Sequence, residues 1–335
     1  MAVVPSPAHN DPTHPEHPRR LQGLAEAAEA TFADSLIPIV GPPASEAALL
    51  AVHDPAHLDF LRRACHQAPA IIDYAPTYVS PGSFDSALEA AGATLEVLQA
   101  VLAGDARRGF AAVRPPGHHA TSRQAMGFCL LNNIAVAARA AQRAGIERVM
   151  IVDFDVHHGN GTQAIFEADP TVLYLSTHQQ GIYPGTGRLE ERGLGAGEGF
   201  TVNLPLPAFA GDEAFDQIAD ELITGLAVRF HPDLLLASAG YDAHWVDPLA
   251  NLQITTRGFH RISAALTELA ETLCGGRIVF VLEGGYDPPA LREGIFASIA
   301  ASLGREPPLD ALGTPRSTPV DITEILDAAR ILHGL

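Results

Sequence analysis

The stretch Arg148-Val-Met-Ile-Val-Asp153, running on into Phe154-Asp-Val-His-His-Gly-Asn160, decides the fold. Its apolar, β-branched part does not alternate with polar residues, the mark of a parallel strand covered on both faces. Similar short runs occur at 110–113, 171–175, 200–204, 233–238 and 277–282. Between them lie segments with helical spacing at 84–103, 128–144, 212–229, 257–274 and 288–302. Strand and helix in alternation predict an α/β fold, a central and mostly parallel sheet flanked by helices in three layers. Residues 18–67 read as helical pieces interrupted by Pro38, Pro42, Pro43 and Pro55. There is no internal repeat and no long linker, so residues 1–335 read as a single domain.

Composition narrows the function classes. At 47% hydrophobic and 18% charged residues, the chain has the makings of a full core, which excludes general disorder. Lys and Arg number 21 against 39 Asp and Glu, a net charge of −18, which argues against nucleic acid as a partner. Cys65, Cys129 and Cys274 form no CxxC pair, and the expected compartment is a reducing cytoplasm. The first residues lack a basic and apolar leader, and no uninterrupted apolar run reaches the ~18 residues that span a bilayer, so no membrane partner is expected.

In an open parallel sheet, ligands bind beyond the carboxyl ends of the strands. Five successive strand ends here carry His, Asp, Tyr and Gly: Arg114-Pro-Pro-Gly-His-His119, Asp153 to Asn160, Ser176-Thr-His178 with Tyr183-Pro-Gly-Thr-Gly187, Ala239-Gly-Tyr-Asp-Ala-His244, and Glu283-Gly-Gly-Tyr-Asp287. In extended backbone, Asp153, Asp155 and His157 share one side of the chain. Carboxylate oxygen with imidazole nitrogen suits a divalent metal such as zinc. Asp242, at another strand end, is the best further ligand, giving an Asp2His set with an open position. His118 and His119 are adjacent and more easily form a base and its electrostatic partner than two ligands of one ion. Asp153 and Asn160 are the candidate acceptors that orient them. Tyr286 follows two glycines and can donate to an oxyanion. Phe128 and Tyr183 offer aromatic walls for an aliphatic chain.

Taken together, these motifs resemble the zinc-dependent histone deacetylase and deacetylase-like amidohydrolase superfamily, in its class II and bacterial flavour. The resemblance runs from His14-Pro-Glu-His-Pro-Arg-Arg-Leu21 through Gly127-Phe-Cys-Leu-Leu-Asn-Asn133 to Leu282-Glu-Gly-Gly-Tyr286. It implies the arginase/deacetylase fold and one catalytic Zn2+ held by Asp155, His157 and Asp242. His119 would be the general base with His118 as its partner, and Tyr286 would polarise the acyl carbonyl. Phe128, Tyr183 and Leu249 would line the substrate tunnel, and Gly127 would offer its carbonyl to the substrate amide. The resemblance also implies structural K+, an inner ion on Asp153, Asp155, His157, Ser176 and Thr177. An outer one would use carbonyls of Phe166, Asp169, Val172 and Phe200.

Two departures bear on chemistry. Asn160 stands where class I members have a carboxylate, which leaves His119 less basic. Tyr183 replaces a phenylalanine in the tunnel wall. The implied substrates are acyl-lysine proteins or peptides; an acylated polyamine is the alternative. Leu249 stands where one polyamine-selective arrangement carries a gatekeeper acid, although an acid from residues 73–85 could serve. A silent acyl-lysine reader has no use for the Tyr286 phenol, and a manganese ureohydrolase would need a second metal. Homo-oligomerisation stays open.

Overall fold

The computed structural model describes residues 1–335 except Arg316, Ser317 and Pro319. Among the described residues the strands are β1 (Ala2–Val4), β2 (Ala70–Ile71), β3 (Tyr78–Val79), β4 (Arg108–Val113), β5 (Val149–Asp153), β6 (Val172–Gln179), β7 (Thr201–Leu206), β8 (Leu234–Ala239) and β9 (Ile278–Leu282). Seven of them make the parallel sheet of an α/β fold, and β2 pairs antiparallel with β3. All six strands expected from the apolar runs are present. They are buried almost throughout, as strands covered on both faces must be.

The chain forms two compact units. One comprises 1–145, 159–165 and 279–283; the other comprises 146–158, 166–278 and 284–335. In the first unit β1 runs parallel to β4, with Ala2 opposite Ala111 and Val4 opposite Val113. Three residues gave too little pattern for β1 to be read from sequence. Helix Ser83–Ala103 packs on β4 and β1, with Val97 and Val101 against Gly109, and its buried residues include Ala87, Ala90 and Ala91. By length and composition that helix could cross a membrane, yet it lies on the core of this unit. A methyl at Gly92 would overlap the Pro42 carbonyl, so this glycine lets the preceding loop close on the helix.

A buried ionic knot holds this unit together. Glu16 accepts from Arg114 Nε and, at 2.7 Å, from Arg114 Nη2, while Arg20 Nη1 donates to it at 3.1 Å. Both Glu16 and Arg114 side chains are fully buried. Burial alone would raise the Glu16 carboxyl, but Arg114 and His9 hold it well below the usual range. Arg20 Nη2 also donates to the Glu283 carbonyl at 2.7 Å, so charges far apart in sequence fix the end of β9.

In the second unit the strands lie in the order β8, β5, β6, β7, all parallel. The segment 212–229 is not one regular helix. Asp212–Gln217 passes through wider π-type turns at Ile218–Ile223 before Thr224–Phe230. The Thr224 hydroxyl bonds the Ala219 carbonyl at 2.8 Å, where such turns open the ladder. Ser176, Thr177 and His178, expected beyond a strand, lie inside β6 because pairing with β7 continues from Tyr174 to Gln179. Helix Thr323–His333 also belongs to this unit.

Candidate metal centre and active-site residues

β5 stops at Asp153 and the backbone then bends, so the extended-strand picture of Asp153, Asp155 and His157 on one side is wrong. Asp153 Oδ1 instead accepts from the Asp155 amide at 3.2 Å, and its Oδ2 accepts from the Tyr174 hydroxyl at 3.0 Å. Asp155 Oδ1 in turn accepts from the His157 amide at 2.8 Å. These side chain-to-backbone bonds tighten the loop and take it out of the extended conformation.

The loop after β8 supplies Asp242. Its Oδ1 accepts from the Val156 amide at 3.0 Å, and Asp155 Oδ2 accepts from the Gly284 amide at 2.8 Å. His157 Nδ1 lies 3.2 Å from Asp155 Oδ1 and 3.1 Å from Asp242 Oδ2. One ligand atom from each of the three residues falls within 4.8 Å of the others. Methyl groups at Gly240 or Gly284 would overlap these carboxylate oxygens, so the two glycines make the cradle.

The electrostatics fit a cation. Burial and the charge of Asp155 raise the Asp242 carboxyl. Burial alone would lower His157, but its bonds to Asp155 and Asp242 raise it to about 10. Two buried carboxylates thus demand positive charge, and two oxygens with one nitrogen are a donor set that zinc accepts.

The first unit presents the histidine pair. After β4 the chain turns through Gly117, where a methyl would overlap the Asn133 amide. Glu283 Oε2 accepts from the Gly117 and His118 amides at 2.7 and 3.0 Å, and the His118 carbonyl accepts from the Thr162 amide at 3.0 Å. The two rings stand 4.1 Å apart at 44°, both buried. His119 Nδ1 lies 2.8 Å from Asn160 Oδ1, the acceptor named from sequence. Donor atoms of His118, Cys129 and Glu283 also cluster within 4.8 Å. Glu283 also fixes the backbone here, through the amides of Gly117 and His118.

Gly127 and Phe128 both have positive φ, 56° and 69°. A left-handed phenylalanine is costly unless held. Here the Phe128 amide donates to Thr77 Oγ1 at 2.9 Å and the Gly127 amide to Asp73 Oδ2 at 3.1 Å. The phenyl ring meets the His14 ring edge-on at 4.4 Å. Asp73 is therefore occupied in shaping this turn. The helix expected from residue 128 starts only at Asn133, where the Asn132 side chain caps the Ala135 amide.

In the second unit Tyr286 follows Gly285, whose φ is 118°. Its amide donates to Asp247 Oδ2 at 2.7 Å, while Asp247 Oδ1 accepts from the Leu249 amide at 3.0 Å. Burial and the Asp242 charge push Asp247 up to about 7. The Tyr183 ring stands edge-on to His157 at 6.4 Å. Ser176 Oγ lies 2.9 Å from His178 Nδ1, and Thr177 Oγ1 bonds the Asp153 carbonyl at 3.4 Å. The carbonyls of Phe166, Asp169 and Phe200 accept from the Asp169, Val172 and Tyr174 amides.

Glu16, Asp247 and Glu283 carried no assigned role in the sequence, and Asp73 entered only as one of the acids of residues 73–85. Each acts by accepting backbone or guanidinium donors, a role with no local sequence pattern. Glu16 and Glu283 stand within the His14–Leu21 and Leu282–Tyr286 motifs, and that membership was the available signal.

The family model described as the histone deacetylase domain matches residues 14–302. Histone deacetylase 10, chloroplastic, of Oryza sativa subsp. japonica is 43% identical, over 99% of this chain and 80% of its own length. Polyamine deacetylase HDAC10 of Homo sapiens is 38% identical, over 87% of this chain and 45% of its own. The crystal structure of the HDA15 HD domain superposes with a TM-score of 0.86 at 34% identity, covering 99% of this chain and 96% of that one.

Proposed function

This chain belongs to the histone deacetylase family, and on that premise we propose that it is a zinc-dependent amidohydrolase removing acetyl or other acyl groups from the lysine side-chain amide. The observation that carries the reading is the buried Asp155, His157 and Asp242 set, with ligand atoms within 4.8 Å of one another in a glycine cradle. Zinc held there supplies Lewis acidity to an acyl carbonyl and to water.

The remaining chemistry falls to side chains. Asn160 Nδ2 points to Met126 Sδ at 3.4 Å, which leaves Oδ1 facing His119 as an acceptor. His119 Nδ1 therefore carries the proton and Nε2 keeps its lone pair, the form a general base requires. His119 takes a proton from the attacking water and returns it to the leaving amine. His118, fixed through Glu283, tunes its partner electrostatically. The Tyr286 phenol donates to the oxyanion as the carbonyl becomes tetrahedral. Phe128, Tyr183 and Leu249 flank the methylene chain, and the Gly127 carbonyl accepts the substrate N–H. Asp153, Ser176 and Thr177, with carbonyls of Asp155 and His157, would hold an inner K+ under the same reading. The outer ion would fall to Phe166, Asp169, Val172 and Phe200.

A second reading, an acylated polyamine as substrate, draws on the likeness to the human polyamine deacetylase. Leu249 speaks against it, because an apolar side chain cannot pair with a second ammonium.

The test is a panel of acetyl-, propionyl- and longer acyl-lysine peptides beside N-acetylputrescine, run with and without a chelator. Acetyl-lysine peptide should turn over faster than N-acetylputrescine, and chelation should stop turnover until zinc is restored. A preference for N-acetylputrescine selects the second reading. A metal-free protein inert toward every amide, or one indifferent to chelation, overturns both.

A further inference from the structure

A cavity of about 510 Å³ lies at the amino ends of β5, β6 and β7, the opposite ends of these strands from Asp155 and His157. Arg148, Arg192, Arg229 and His333 all line it. Four cationic or imidazole groups in one hollow are unusual for a chain of net charge −18, because converging guanidinium groups repel unless an anion joins them.

Glu198 lines the same cavity, and with Asp233 it offsets part of this charge through long ion pairs that saturate no guanidinium N–H. Glu198 Oε1 is 3.9 Å from Arg192 Nη1, and Asp233 Oδ1 is 3.8 Å from Arg148 Nη2, both beyond hydrogen-bond reach. Arg229 Nη1 donates to the His333 carbonyl at the end of helix Thr323–His333. Arg148 Nε and Arg192 Nε are buried with no hydrogen-bond partner, and His333, 4% exposed, lies beside the Gly199 backbone. Buried polar atoms without partners carry a cost that a bound ligand removes. Burial, followed by Arg192 and Arg229, lowers His333 to about 4, so it meets a ligand as a neutral imidazole.

One wall is aromatic, with Phe200 and Phe230 rings edge-on at 5.8 Å. Guanidinium forks match phosphate oxygens two at a time, and an aromatic wall suits an apolar or planar appendage. We propose that this cavity is a binding site for a phosphate monoester: Arg148 and Arg192 grip the phosphate, His333 hydrogen-bonds to it, and Phe200 with Phe230 cover the organic group. The site is separate from the metal centre and does not depend on the deacetylase reading.

The experiment is calorimetric titration of the full chain, at fixed ionic strength, with inorganic phosphate and with phenyl phosphate. Phenyl phosphate should bind saturably at one site, about tenfold more tightly than inorganic phosphate because its ring is buried. Arg192→Gln should weaken it about tenfold or more through loss of a charge-assisted contact. Arg148→Gln, immediately before strand β5, should repeat that loss, so a disturbed loop at Arg192 cannot mimic the result. No saturable binding by the wild type overturns the proposal. Equal affinity of wild type and both variants overturns it as well, and marks any uptake as ionic and nonspecific.

Discussion

His119 Nδ1 stands 2.8 Å from the side-chain oxygen of Asn160, an amide where a carboxylate would hold the imidazolium more firmly. The neutral partner orients the ring without charging it. In Asn160→Asp the protonated ring is favoured, so the base loses its lone pair at higher pH than in the wild type. The acidic limb of the kcat/KM profile should move up by about one pH unit. An unmoved limb would remove His119 from the role of base.

Tyr286 is hung from Asp247 through its amide at 2.7 Å, so removing the phenolic oxygen leaves the backbone anchor intact. Tyr286→Phe should keep its metal stoichiometry and lose about 10²- to 10³-fold in kcat, the scale of one oxyanion donor. Turnover of an acetyl-lysine peptide together with metal analysis checks both halves. Wild-type turnover would exclude the phenol from the reaction.

Gly284 backs both carboxylates of the metal set, and a methyl there would overlap Asp242 Oδ2 and Asp155 Oδ2. Gly284→Ala should spread the set and weaken zinc by about tenfold or more, since ligand placement governs affinity. Asp242→Ala should abolish both metal and turnover. A competition titration with a chromogenic chelator reads the affinities; an unchanged zinc affinity in Asp242→Ala would discard the ligand assignment.

Glu16 neutralises the buried Arg114, and Glu16→Gln leaves that guanidinium without its counter-charge. Loss of one member of a buried pair costs about 3–5 kcal/mol, measurable as a fall in the urea midpoint at unchanged slope. Because the folded-state carboxyl lies well below its ordinary value of 4.5, its stabilisation is complete above that value. It is lost as the pH falls further, when the folded protein must take up a proton. The wild type should therefore lose stability on acidification more steeply than Glu16→Gln.

The residues that the candidate site brings together were legible in the sequence. Asp155, His157 and Asp242 were named together, and the pairing of His119 with Asn160 was among the acceptors foreseen. Asp155, His157 and Asp242 lie close together, and His119 faces Asn160, because strand ends in a parallel sheet collect at one edge. The error at Asp153 has an equally local cause. A spacing of two implies a shared side only in extended backbone, whereas Asp153 and Asp155 each accept an amide two residues on and bend the loop.

The sequence by itself determined the strand and helix alternation, and the residue types that do the chemistry, because apolar periodicity and side-chain identity are local properties. Only the tertiary structure decided which carboxylates hold backbone and which stay available. It tied Glu283 to the His118 amide, Asp247 to Tyr286 and Asp73 to Gly127, and it gathered Arg148, Arg192 and His333 around one hollow. The reason is physical: a buried carboxylate or guanidinium takes its role from whichever donors and acceptors the fold delivers to it, and those come from distant parts of the chain.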